Sequence, residues 1–184
     1  LSDLREDKEI LIVFDEVQCG IGRTGKWFAF QHYDIEPDIM TLAKALGGGV
    51  PIGAIVAKKE ISDVLKPGDH GTTFGGNPLA TSVGLTVMNT IESENIIENS
   101  KKMGEYLIKK LEFMVDMPNV KDLRGIGLMV GIEFDDLCSD FVKRCFDNNL
   151  LINCTRDKVI RLVPPLIVSK NEIDEAIEIM KKSF

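Results

Sequence analysis

The chain has 184 residues, 44% hydrophobic and 28% charged, enough to bury a core in one domain or two small ones. Its net charge of −7 argues against a phosphate-backbone partner, which needs clustered Lys and Arg, so no nucleic acid is expected. The longest apolar runs are far too short to span a bilayer, and no signal-peptide pattern opens the chain, so no membrane partner is expected either.

The first nine residues, LSDLREDKE, read as the end of a helix running into a strand. With Leu1 rather than Met in front, the chain is expected to be the back part of a longer protein. Residues 10–14 (ILIVF) are a continuous aliphatic run and predict a strand covered on both faces, as in a parallel α/β sheet. Residues 38–46 are expected to bring Lys44 to a turn, which Gly47, Gly48 and Gly49 then break. A second strand is expected over 52–57 and a short helix over 59–65. Residues 69–78 (DHGTTFGGNP) read as a loop. From Asn77 the pattern turns helical, with Pro78 in the first turn and Leu79, Val83, Val87 and Ile91 at helical spacing.

Residues 94–115 form a second amphipathic helical pattern. Residues 120–134 (VKDLRGIGLMVGIEF) read as one strand-like segment with interior glycines. A helix over 135–149, strands over 150–154 and 159–163, and a helix over 170–182 complete the chain. The second half therefore reads as a small α+β domain, with the expected division into residues 1–91 and 92–184. Cys19, Cys138, Cys145 and Cys154 show no C-x-x-C spacing, and His32 and His70 stand apart from them, so no metal site is expected. Free thiols point to a reducing, cytoplasmic setting.

Gly20, Gly22 and Gly25 have the G-x-G-x-x-G spacing of a dinucleotide-binding turn. In such a turn the first glycine follows the strand directly, and a helix N-terminus faces the pyrophosphate. Here DEVQC intervenes, its carboxylates would repel a pyrophosphate, and KWFAFQHY lacks a helix-opening pattern. The glycines are read instead as a flexible surface turn. Asp15, at the carboxyl end of a strand, is either a turn residue or a partner for a cationic ligand.

The segment FDEVQCGIGRTGKWFAFQHYDIEPDIMTLAKALGGGVPIGA closely resembles the pyridoxal-phosphate signature of class-III (fold-type I) aminotransferases. HGTTFGGNPLA resembles that family's phosphate-contacting loop, and RLVPPLIVS its C-terminal arginine motif. These blocks cover essentially the whole chain in the family's order. The resemblance implies an α/β fold: the C-terminal part of the fold-type I large domain, then an α+β small domain. It implies pyridoxal 5'-phosphate as cofactor, with Asp15 on the pyridinium nitrogen and Lys44 bonded to the cofactor's aldehyde carbon. It places Val17 on one ring face and Gln18 near the phenolic oxygen. Thr73 would reach the cofactor phosphate of the partner subunit in a homodimer, and Arg161 would meet the substrate carboxylate. Arg124 of DLRGIGL carries a structural role only.

The physical logic agrees. A carboxylate on the ring nitrogen keeps it protonated, so the ring withdraws electrons. Lys44, once neutral, can attack an aldehyde and carry a proton. Arg161 stands in an apolar run, where its planar fork suits a carboxylate; the alternative is a structural ion pair. Within the family, GGGVPIGA and N-x-T-x-x-x-V-I-R-L-V-P-P-L are most similar to the acetylornithine branch. That branch implies transfer of an amino group from N-acetylornithine to 2-oxoglutarate, a step of arginine biosynthesis, on small amino-acid and 2-oxo-acid substrates. Ornithine, succinylornithine and 4-aminobutyrate remain alternative donors, and a non-catalytic folded domain remains the alternative from another class. The family's N-terminal blocks have no counterpart here, so this chain alone is expected to be inactive.

Overall fold

The computed structural model describes Arg5, Lys8 and residues 10–184. The expected helix end over 1–9 therefore lies, Arg5 and Lys8 apart, outside the described residues. The chain divides into two compact units, Leu1–Asn95 and Ile96–Phe184.

In the first unit a three-stranded sheet runs β1 (Val13–Asp15), β2 (Ile39–Leu42), β3 (Ala54–Ala57). β1 and β2 are parallel, and β3 is antiparallel to β2. The run before β1 is not covered on both faces as expected. Ile12 is buried, while Leu11 is 60% and Val13 54% exposed. Successive side chains point to opposite faces, and the described residues cover one of them. Asp38 pins the entry to the sheet: it accepts from the Ile12 N–H at 2.8 Å and pairs with Arg5 at 2.7 Å and Lys58 at 2.9 Å. After β3 come α1 (Lys59–Ser62), shorter than expected, a loop, and α2 (Pro78–Ser93). Asn77 caps α2 by accepting from the Ala80 N–H at 3.0 Å, and Pro78 fills the first turn, where its missing N–H costs nothing.

The second unit holds α3 (Ile96–Leu111), β4 (Val120–Ile126), β5 (Met129–Phe134), α4 (Ser139–Asp147), β6 (Asn153–Thr155), β7 (Val159–Leu162) and α5 (Lys170–Lys182). Its sheet is antiparallel throughout, in the order β4-β5-β7-β6. Residues 120–134 form a hairpin rather than one strand, because Gly127, at a φ of 55°, reverses the chain between two halves of similar composition. Leu111, Met114, Leu128, Ile132, Ile160 and Ile177 are fully buried between the helices and the sheet. A capping box opens α5: Ser169 Oγ accepts from the Glu172 N–H, and Glu172 Oε2 accepts from the Ser169 N–H.

Cys138 and Cys154 form a disulfide, which corrects the expectation of four free thiols. The Cys138 N–H donates to the Asp157 carbonyl at 2.9 Å, so the start of α4 is tied to the β6–β7 turn. The two Cα atoms stand 6.0 Å apart, a normal span for a bridge. Cys19 and Cys145 are the free thiols. A cytoplasmic setting therefore loses part of its support from cysteine usage. No helix among the described residues is long and apolar enough to cross a membrane.

Candidate active site

Asp15 closes β1 and pairs in register with Thr41, near the end of β2. Lys44 follows two residues after β2 ends and opens a tight 3-10 turn, Lys44–Gly47. Asp15 thus stands at the carboxyl end of one strand and Lys44 just beyond that of its parallel neighbour, the edge at which open α/β sheets bind their ligands. Both are exposed. Asp15 Oδ1 accepts from the Val17 N–H at 3.0 Å and from Thr41 Oγ1 at 3.4 Å. These bonds fold the chain into a turn and orient the carboxylate.

Lys44 has a φ of 47°, a left-handed conformation uncommon for a residue with a Cβ. The surrounding turn imposes it. Leu46 donates its N–H to the Ala43 carbonyl at 3.1 Å and is buried, and Gly48 donates to Ala45 at 3.2 Å. Lys44 is therefore held at a fixed exit angle from the strand. Strained backbone of this kind clusters at functional positions.

Between the two strands runs the glycine loop. It is neither a dinucleotide turn nor the exposed surface turn expected. Ile21 is only 2% exposed, and Gly20, Gly22 and Gly25 are buried. The loop closes on itself through Gly22 N–H to Trp27 at 3.2 Å and Gly25 N–H to Gly22 at 3.1 Å. Gly20 sits so close to Glu16 that a Cβ there would meet the Glu16 carbonyl oxygen at 2.7 Å. No α-helix follows, only the 3-10 turn Ala29–His32. Gly20 serves packing against Glu16, while Gly22 and Gly25 hold left-handed backbone at φ 86° and 80°.

Val17 and Gln18 are half-buried in the turn after Asp15. Cys19 lies beside them, its Sγ 3.2 Å from Glu16 Oε2. Burial, then the hydrogen bond and charge of Glu16, push its thiol pKa up to about 12. Thr73 is exposed on the loop between α1 and α2. Arg161 belongs to the second unit. It lies on β7, paired in register with Gly131 of β5 and Asn153 of β6. With the Asn153 amide turned to satisfy both of its ends, its oxygen accepts from Arg161 Nη2 at 3.2 Å and its nitrogen donates to the Arg161 carbonyl at 3.0 Å. Arg161 borders an apolar groove of about 460 Å³ whose walls include Leu107, Leu162 and Met180. Arg124 bonds Asp122 at 2.6 Å and Glu133 at 2.7 Å, a surface ion-pair cluster. The sequence reading missed Glu16 and Thr41, whose only signal was their place beside Asp15 and Lys44 in the motif.

The sequence matches the class-III aminotransferases over residues 1–184. The chain belongs to the class-III aminotransferase family. It is 54% identical to the acetylornithine aminotransferase of Methanocaldococcus jannaschii, covering all of this chain and 46% of that protein. It is 48% identical to the Archaeoglobus fulgidus acetylornithine aminotransferase, over 98% of this chain and 46% of that one. Among solved structures, ornithine aminotransferase from Plasmodium yoelii superimposes with a TM-score of 0.93 at 41% identity, over 98% of this chain and 49% of that one. Acetylornithine aminotransferase from Elizabethkingia anophelis gives 0.91 at 36%, over 99% and 47%. The α/β fold is thus that of the fold-type I aminotransferases, a class that uses pyridoxal phosphate. The chain spans about half the length of the relatives it matches.

Proposed function

We propose that the complete protein is a pyridoxal-phosphate aminotransferase that passes the δ-amino group of N2-acetylornithine to 2-oxoglutarate, giving N-acetylglutamate 5-semialdehyde and glutamate. The observation that carries this reading is the placement of Asp15 at the carboxyl end of β1 and of Lys44 just past that of the parallel β2. The identity to acetylornithine aminotransferases supports the choice of donor.

The residues fit the cofactor. Asp15 offers an exposed, oriented carboxylate for a ring N–H, and Lys44 an exposed amine for an aldehyde. When bound, pyridoxal phosphate supplies an electron sink for the carbon that loses its proton. The Asp15 carboxylate holds the proton on the ring nitrogen. Lys44 Nζ attaches the cofactor and, when free, takes and returns the substrate proton. Val17 would pack on the ring, Gln18 would meet the phenolic oxygen, and Thr73 would donate its hydroxyl to a phosphate across a homodimer. Arg161 binds the substrate carboxylate with its planar fork, oriented by Asn153.

Ornithine itself is the second reading, favoured by the likeness to Plasmodium yoelii ornithine aminotransferase. The test uses the complete protein loaded with pyridoxal phosphate, reduced with borohydride and mapped by mass spectrometry. The phosphopyridoxyl label is expected on Lys44 and lost in Lys44→Ala. A folded protein with no label there would overturn the reading in favour of a non-catalytic domain. Ranking kcat/KM for acetylornithine, ornithine, succinylornithine and 4-aminobutyrate fixes the donor. The 184 residues alone are proposed to be inactive, because catalysis requires the whole preorganised site.

A further inference from the structure

The residue after Asp15 is a buried acid. Glu16 is 2% exposed. Its Oε1 accepts from the Phe30 N–H at 2.8 Å, and its Oε2 accepts from the Ala29 N–H at 2.9 Å. Its backbone N–H donates to the Thr41 carbonyl at 3.0 Å, and its own carbonyl accepts from the Gly20 N–H at 3.0 Å. One residue thus ties together the end of β1, the end of β2, the glycine loop and the 3-10 turn at Ala29. Burying a carboxylate is costly unless every lone pair direction is served, and backbone N–H donors serve it well.

Side chains alternate along an extended chain, so an inward Glu16 forces Asp15 outward. Asp15 is exposed where Glu16 is enclosed. The Val17 N–H that orients Asp15 follows directly from the anchored residue. The Thr41 hydroxyl that orients it comes from the residue whose carbonyl holds Glu16. Both partners of Asp15 Oδ1 are therefore set by the Glu16 anchor.

We infer that Glu16 is the positioning residue for Asp15, holding its carboxylate at the angle that a protonated ring nitrogen requires. The inference rests on the proposed cofactor role of Asp15. Supporting groups of this kind are worth about 10- to 100-fold in affinity or activity at metal sites, and a comparable loss is expected here.

The test is made in the complete protein. Wild type must first carry the borohydride-fixed label on Lys44; if it does not, the cofactor reading fails and Glu16 is not at issue. Glu16→Gln then replaces one acceptor by an NH2 facing N–H donors. The dissociation constant of the cofactor is expected to rise by about tenfold or more. The pH at which the visible band of bound cofactor changes should shift as well, which a merely structural role would not cause. In an Asp15→Asn background, Glu16→Gln should add little, since both act through one group. If Glu16→Gln fails to fold, Ala29→Pro serves. It removes one N–H donor at the first position of a 3-10 turn, after the extended Phe28 (ψ 145°), where proline fits. A folded variant of either kind with wild-type affinity and band titration overturns the inference, as does full additivity with Asp15→Asn.

Discussion

Lys44 and Asp38 show how single residues fix the geometry of the first unit. A left-handed lysine costs about 1–2 kcal/mol relative to the ordinary helical region, and it persists because the buried Leu46 and the turn around it leave no alternative. Asp38 acts at the other end of β2, immediately before Ile39. Its carboxyl is held below the usual carboxylate range, first by the Ile12 N–H, then by Lys58 and the charge of Arg5. A lowered folded value stabilises the fold above the ordinary carboxylate range, and the benefit disappears as pH falls through the folded value. Asp38→Asn should therefore lower Tm at pH 7, and the gap to wild type should close below about pH 4. A gap that stays constant from pH 7 to pH 3 in thermal melts would refute this. At this scale the sequence was most legible where the motif named the residue. Asp15 stands at a strand's carboxyl end and Lys44 at a turn, as expected, whereas nothing in the sequence marked Glu16 as buried. Its burial depends on the N–H groups of Ala29 and Phe30, which only the closed loop brings near.

Elements were legible in proportion to their periodicity. α2, α3 and α5 follow apolar spacing, and α5 matches its expected range because Ser169 and Glu172 mark its start. The β4–β5 hairpin was not legible, because its turn carries one glycine among several and no Asn-Gly or Asp-Gly pair. The same turn sets a tight constraint on a neighbour. The Gly127 backbone occupies the place where a Cβ on Gly104 of α3 would stand. Backbone cannot step aside as a flexible side chain does, so Gly104→Ala should destabilise the second unit by about 3 kcal/mol, although alanine favours helix. Urea unfolding of the variant measures it, and a neutral or stabilising result would contradict the close approach.

At the level of the whole molecule, the chain is two units, and the candidate residues are divided between them: Asp15, Val17, Gln18, Lys44 and Thr73 in the first, Arg161 in the second. Motif order made that set legible, but the sequence could not show the Cys138–Cys154 bond, because the pairing depends on α4 returning to the β6–β7 turn. The bond closes a loop with a sequence separation of 16, for which chain entropy gives about 3 kcal/mol. Cys138→Ala should cost roughly that amount. Melts of wild type with and without a dithiol reductant should show the same difference, and a variant as stable as oxidised wild type would refute it.

The remaining thiols are shared out one to each unit, Cys19 in the first and Cys145 in the second. Burial is the leading cause of the upward pKa shift at both. Cys145 is fully buried, whereas Cys19 is only partly so. The rate at which an iodoacetamide adduct accumulates at Cys145 therefore times the opening of the second core.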